Sequence, residues 1–155
     1  MKKLIFLLLI SFCSAPSSVV NENNDMQIAD TENITEKVLT YKNELGEFVE
    51  EDLTNKNTLV IFWADYWGIC REELPLLENN LVELSKTYDI IALAHSDVEP
   101  TMEWVKNNLI GNLTIGFSTS ELRDELQVVG QPITIIFDTN GTITVSYTHL
   151  TLPTN

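Results

Sequence analysis

Two continuous apolar runs, TLVIFW at 58–63 and IIALA at 90–94, flank a segment with helical spacing, and this arrangement most limits the fold. Neither run alternates polar with apolar residues, so each predicts a strand buried on both faces, as at the centre of an α/β sheet. The segment between them, 68–86, carries Leu74, Leu77, Leu81 and Leu84 along one stripe with acids opposite. Pro75 lies inside it and predicts a kink, because proline removes a backbone donor and crowds the preceding turn. Strand, helix and strand make a βαβ unit, which closes right-handed. A sheet of this kind needs helices on both faces, so the chain is expected to be α/β.

The rest of the chain fits around that unit. Residues 38–41 and 47–49, joined across Asn43-Glu44-Leu45-Gly46, predict a hairpin. Downstream, a helix is expected over 100–109 and a short strand over 113–117. Another helix is capped by Ser118 or Thr119 and runs to 128, with Glu121 at its positive end. Gly130-Gln131-Pro132 breaks the chain before a third buried strand over 133–137. Asp138-Thr139-Asn140-Gly141 then turns it into a return strand from Thr142. A calcium loop would need further spaced oxygen ligands, which are lacking.

Residues 1–17 read as a secretory signal peptide: Lys2 and Lys3, an apolar stretch too short to span a bilayer, then small residues up to Ser17. Cys13 raises a lipoprotein reading, against which the bulk of Phe12 counts. Residues 18–36 read as an acidic, flexible leader. The chain has two cysteines, so removing the signal leaves Cys70 with nothing to pair with. It also removes Lys2 and Lys3, taking the net charge from −14 to −16. Such a charge disfavours nucleic acid and anionic lipid as partners. His95 and Asp97 follow the second strand without a third ligand at metal-site spacing, and no glycine loop suits a phosphate, so no metal or cofactor is expected. Trp63, Tyr66 and Trp67 suit a core and a site rim rather than a cofactor box.

The chemistry concentrates in FWADYWGICREELP, 62–75. A strand ends in aromatics, a glycine turn follows, and a helix opens with Cys70 in its first turn, where the macrodipole favours a thiolate. Phe62, Trp63, Ala64, Gly68, Cys70, Arg71, Glu73 and Pro75 sit at the offsets of the thioredoxin pattern F-W-A-x-W-C-x-x-C, and GQPITIIFDTNG at 130–141 matches its cis-proline segment. Over residues 37–143 the chain resembles the thioredoxin-like superfamily. The extra helix and strand within 99–117, with the signal peptide, resemble its TlpA/ResA-like branch of extracytoplasmic thiol–disulfide oxidoreductases, several of them linked to cytochrome c maturation.

The resemblance implies a central mixed sheet flanked by helices, an exported, periplasmic location, and protein thiols, disulfides or extended peptide segments as partners. In that family a first, acidic thiol attacks a disulfide and a second resolves the mixed disulfide. Cys70 occupies the resolving position, and Trp67 stands where the nucleophile belongs. Glu73 matches an acid that tunes the thiols, or is a solvated helix carboxylate. Pro132 is expected to be cis and to face a substrate groove formed by Tyr66, Gly68, Ile69 and Gln131. Ile61 stands where thioredoxins proper carry a buried acid, so that strand offers no proton relay.

Residues 145–155, VSYTHLTLPTN, resemble the translation of a transposase-type sequencing adapter, which makes 144–155 a non-native tail joined at Thr144. The family's last strand and final helix would then be cut short near Ile143, leaving an apolar sheet face uncovered. The tail bears on Trp67, because tryptophan and cysteine codons differ in one base. Three readings stand: a sequencing substitution that hides a Tyr-Cys-Gly-Ile-Cys site, a genuine substitution that yields a non-catalytic binding module, or residual monothiol chemistry at Cys70. As written, Cys70 suits an inert buried thiol.

Overall fold

The computed structural model describes residues 37–148. Residues 1–36, on which the signal-peptide, lipoprotein and leader expectations fall, and residues 149–155 lie outside them. One seven-stranded sheet is formed by β1 (Val38–Lys42), β2 (Phe48–Asp52), β3 (Asn57–Trp63), β4 (Tyr88–Ala94), β5 (Thr114–Phe117), β6 (Ile133–Phe137) and β7 (Ile143–Tyr147). Helices α1 (Gly68–Leu84), α2 (Val98–Asn107) and α3 (Ser120–Glu125) connect them.

The strand order is β2-β1-β5-β4-β3-β6-β7. At the centre β3 and β4 run parallel from Asn57↔Tyr88 to Trp63↔Ala94, and β4 pairs parallel with β5. On the far side of β3, β6 is antiparallel in register Phe62↔Ile133, and β7 returns antiparallel to β6. This is the expected mixed α/β sheet. The side chains of β3 divide between two cores, which explains its unbroken apolar run. Val60 and Phe62 pack with Leu122 and Leu126 at α3, whereas Leu59, Ile61 and Trp63 pack with Cys70, Leu74 and Leu77 of α1 and Val105 of α2. Each fully buried large side chain of this kind stabilises the fold by about 1.5–3 kcal/mol relative to exposure.

Several element ends differ from expectation, for local reasons. Pro75 lies within α1, and the helix continues past it. The first hairpin's second strand reaches Asp52, where 49 was expected. α2 starts at Val98 and ends at Asn107, and α3 ends at Glu125 although the pattern ran to 128. Both helices close by the same device. Leu109 and Gln127 take left-handed φ values of 58° and 53°, and the next amides reach back five residues, Ile110 N to Val105 O at 3.2 Å and Val128 N to Arg123 O at 2.8 Å. This is the helix-closing geometry that glycine usually marks. Of the two candidate caps for α3, Thr119 serves, its Oγ1 accepting from Leu122 N at 3.1 Å. β7 continues through Val145 and Tyr147, which pair with Ile136 and Thr134. Main-chain pairing tolerates many side chains, so it is neutral about the origin of residues 144–147.

Candidate active site

The parallel strands end together at one edge of the sheet, where open α/β sheets place their ligands. Backbone bonds stitch this edge: His95 N donates to Trp63 O at 2.8 Å and Ser118 N to Ala94 O at 2.9 Å. Because β6 runs the other way, its start lies at the same edge, and the Phe62↔Ile133 pair sets Pro132 alongside the end of β3. The Gln131–Pro132 peptide is cis, and Pro132 is buried.

Between β3 and α1 the chain turns tightly. Trp67 N donates to Ala64 O at 3.2 Å, and Arg71 Nε donates back to Asp65 O. Asp65 is buried and accepts from Thr101 Oγ1 at 3.4 Å, and Thr101 in turn shares a 2.8 Å bond with Ser96. The turn is thereby tied to the start of α2. Trp67 is the N-cap of α1, in extended conformation and without a side-chain cap bond. An indole in this place offers bulk and a face, but no ionisable group.

Cys70 lies one turn into the helix and is wholly buried, with a free thiol. Burial pushes that thiol above its ordinary value; the amides of Ala64 and Cys70 pull it down and the charge of Glu73 raises it further, and the rise prevails. Glu73 is itself buried, so the sequence's alternative of a solvated carboxylate is not what the fold adopts. Tyr66, Trp67 and Ile69 form an exposed apolar rim, 60%, 44% and 41% accessible. Gly68 leaves open space beside it, since a Cβ there would meet nothing within 4 Å.

The fold brings Tyr66, Trp67, Gly68, Ile69 and Cys70 together on one turn, and carries Gln131 and Pro132 to the same edge. It adds a residue that sequence reasoning weighed only as a metal ligand. His95 Nδ1 lies 2.6 Å from Gln131 Nε2. Burial, and then the positive charge of Arg123, hold the imidazole below its ordinary value. The available signal was its place directly after the second buried strand, at the carboxyl edge. Among the described residues no group of three His, Cys, Asp or Glu side chains could hold a metal ion, and no helix is long and apolar enough to cross a membrane.

Neither a protein-family model nor a curated protein matches the chain. Solved structures do. The thioredoxin domain of a thiol–disulfide oxidoreductase from Bacteroides vulgatus is 22% identical with a TM-score of 0.59, over 70% of this chain and 82% of that one. StoA from Bacillus subtilis is 19% identical with a TM-score of 0.62, over 72% and 87%. An exposed lipoprotein thioredoxin from Streptococcus pneumoniae is 18% identical with a TM-score of 0.62, over 74% and 91%. The chain has the thioredoxin-like fold, and its structural neighbours are thiol–disulfide oxidoreductases.

Proposed function

We propose that the protein works at the thiol–disulfide exchange surface of a TlpA/ResA-type thioredoxin fold, docking extended segments of extracytoplasmic proteins beside Pro132. With Trp67 in place it binds them without turnover. The observation that carries this reading is the pairing of a buried, weakly acidic Cys70 with an exposed indole at the start of α1. Exchange requires a thiolate that reaches a substrate sulfur, forms a mixed disulfide and releases the other sulfur as a thiolate; a second thiolate then displaces the first. Here the attacking position holds no sulfur, and the only described thiol is enclosed. Docking requires less. Pro132 has no N–H to donate, the ladder begins at Ile133, and the main-chain groups of Gln131 lie just beyond it, at the same sheet edge as the turn that bears Tyr66, Trp67 and Ile69. An exported, extracytoplasmic setting is supported by the signal-like N-terminus and by a neighbour described as an exposed lipoprotein.

A second reading is favoured by the adapter-like residues 145–155: the natural gene encodes cysteine at position 67, and the protein is a dithiol oxidoreductase serving cell redox homeostasis. One experiment separates the two. The chain as written and its Trp67→Cys variant are compared in insulin reduction driven by dithiothreitol, alongside binding of carbamidomethylated insulin A chain. The chain as written is expected to bind the A chain and leave insulin intact, and Trp67→Cys to reduce it. Insulin reduction by the unaltered chain would overturn the non-catalytic reading. Absence of both binding and Trp67→Cys activity would overturn the proposal as a whole.

A further inference from the structure

We propose that His95 is a positioning residue for segments docked at Pro132: it holds the Gln131 side chain so that the amide turns its oxygen to the groove, and protonation of the ring reverses that face. The inference rests on the docking reading above, and its own basis is geometric. His95 hangs from the end of β4 by its 2.8 Å amide bond to Trp63 O, beside the turn that opens α1. Its Nδ1 stands 2.6 Å from Gln131 Nε2, immediately before the cis bond to Pro132.

Two nitrogens at that distance share a hydrogen only if one of them accepts. With the amide nitrogen of Gln131 turned to the ring, as the structure assigns it, Nδ1 is the acceptor and the ring is neutral, with its proton on Nε2. Gln131 is thereby held with one N–H engaged and its Oε1 free to accept from the N–H of an extended segment. When Nδ1 takes a proton, both ring nitrogens donate. Gln131 can then keep the bond only by turning its amide over, so that Oε1 accepts from the ring and the NH2 group faces the groove. The surface offered to a segment changes from acceptor to donor.

The surroundings set which state rests at neutral pH. Arg123 of α3 is the charged side chain facing the ring; it is held by Ser118 O at 2.8 Å and Ser118 Oγ at 2.9 Å. The turn at 118–119 and the loop at 128–132 bring no titratable group; the histidine's own loop carries Asp97, and the turn that opens α1 carries Tyr66 and the buried Asp65, which is engaged by Thr101. A cation and partial burial both favour neutral imidazole, so the oxygen-out state rests at neutral pH and reversal belongs to mildly acidic conditions.

The test uses the whole chain and a His95→Phe variant, which cannot accept; position 95 is exposed, so a ring of similar size is accommodated. Side-chain amide resonances of Gln131 are followed by NMR from about pH 8 to 5.5, together with the affinity for carbamidomethylated insulin A chain, which carries no histidine. The amide signals are expected to move with the midpoint of the His95 ring itself and to stay fixed in His95→Phe. A-chain affinity is expected to fall about tenfold on acidification in the original chain, equivalent to about 1.4 kcal/mol, and to stay level in the variant. Amide signals that ignore the His95 titration, or the same pH dependence of binding in His95→Phe, would overturn the inference. Loss of A-chain binding at every pH, with the amide still tracking the ring, would remove the docking function and leave the His95–Gln131 reversal supported.

Discussion

The carboxylate of Glu78 offers a measurement of how firmly α1, which carries the site, is held to the rest of the fold. Its Oε1 accepts from Gly111 N at 3.3 Å, Asn112 N at 3.0 Å and Asn112 Nδ2 at 2.7 Å, and its Oε2 accepts from Leu113 N at 3.0 Å. One acceptor-only group thus gathers the amides of the α2–β5 connection. In Glu78→Gln either orientation of the amide sets an NH2 against at least one of these donors, and the surviving bonds lose their charge. Bonds to a charged acceptor contribute about 1.5–3 kcal/mol when buried, but residues 111 and 112 are exposed, so solvent screening reduces the expected loss to about 1–2 kcal/mol. The midpoint of thermal unfolding should fall by about 3–8 °C. The loss should also depend on pH. Burial alone would raise the carboxyl of Glu78, but the bonds from Asn112, Gly111 and Leu113 outweigh it and hold the group below 4.5. A folded-state value below the unfolded one means that the stabilisation is full above about pH 4.5 and is lost as pH falls through the folded value. Urea unfolding, followed by fluorescence of the Trp63–Trp104 pair, whose rings lie 5.5 Å apart, reads both effects. A difference between the two chains that stays constant from neutral pH to about pH 3.5, or one under about 0.3 kcal/mol at pH 7, would refute the latch.

Two further outcomes follow from packing and from the thiol. A Cβ at Gly116 would stand 2.5 Å from Tyr41 Cδ2 and 2.8 Å from Leu93 Cδ2, both on buried side chains; Gly116→Ala should therefore cost about 1–3 kcal/mol in urea unfolding, and an unchanged midpoint would show that the contact between β5 and β1 is loose. Because Cys70 is enclosed and its thiol is raised, iodoacetamide at neutral pH should label it only as fast as the chain opens, and at once in denaturant. Rapid labelling of the folded protein, measured by mass spectrometry, would instead favour monothiol chemistry at Cys70.

Much of the fold was legible along the chain because its signals are local. The continuous runs at 58–63 and 90–94 announced strands buried on two faces, and the leucine stripe of α1 announced the helix between them. The ends of α2 and α3 were not legible. Leu109 and Gln127 close those helices in a conformation usually marked by glycine, and neither residue type signals it. In the site, the turn 66–70 was readable because its residues are adjacent in sequence and their order fixes which of them starts the helix. The role of Glu73 was left open, because spacing says where a carboxylate sits on a helix and not what covers it.

The sequence by itself determined that Cys70 stands alone in its segment, that Trp67 precedes it at the opening of a helix, and that a proline loop at 130–132 precedes a third buried strand within one α/β domain. Tertiary structure alone decided that Glu73 is buried and that its charge adds to the rise of the thiol, and that His95 meets Gln131 across thirty-six positions of chain. The physical reason is the crossing of strand directions. Parallel β4 ends where antiparallel β6 begins, so residues remote in sequence share one edge. Burial, and with it the acidity of a thiol or an imidazole, depends on what that packing places around each group.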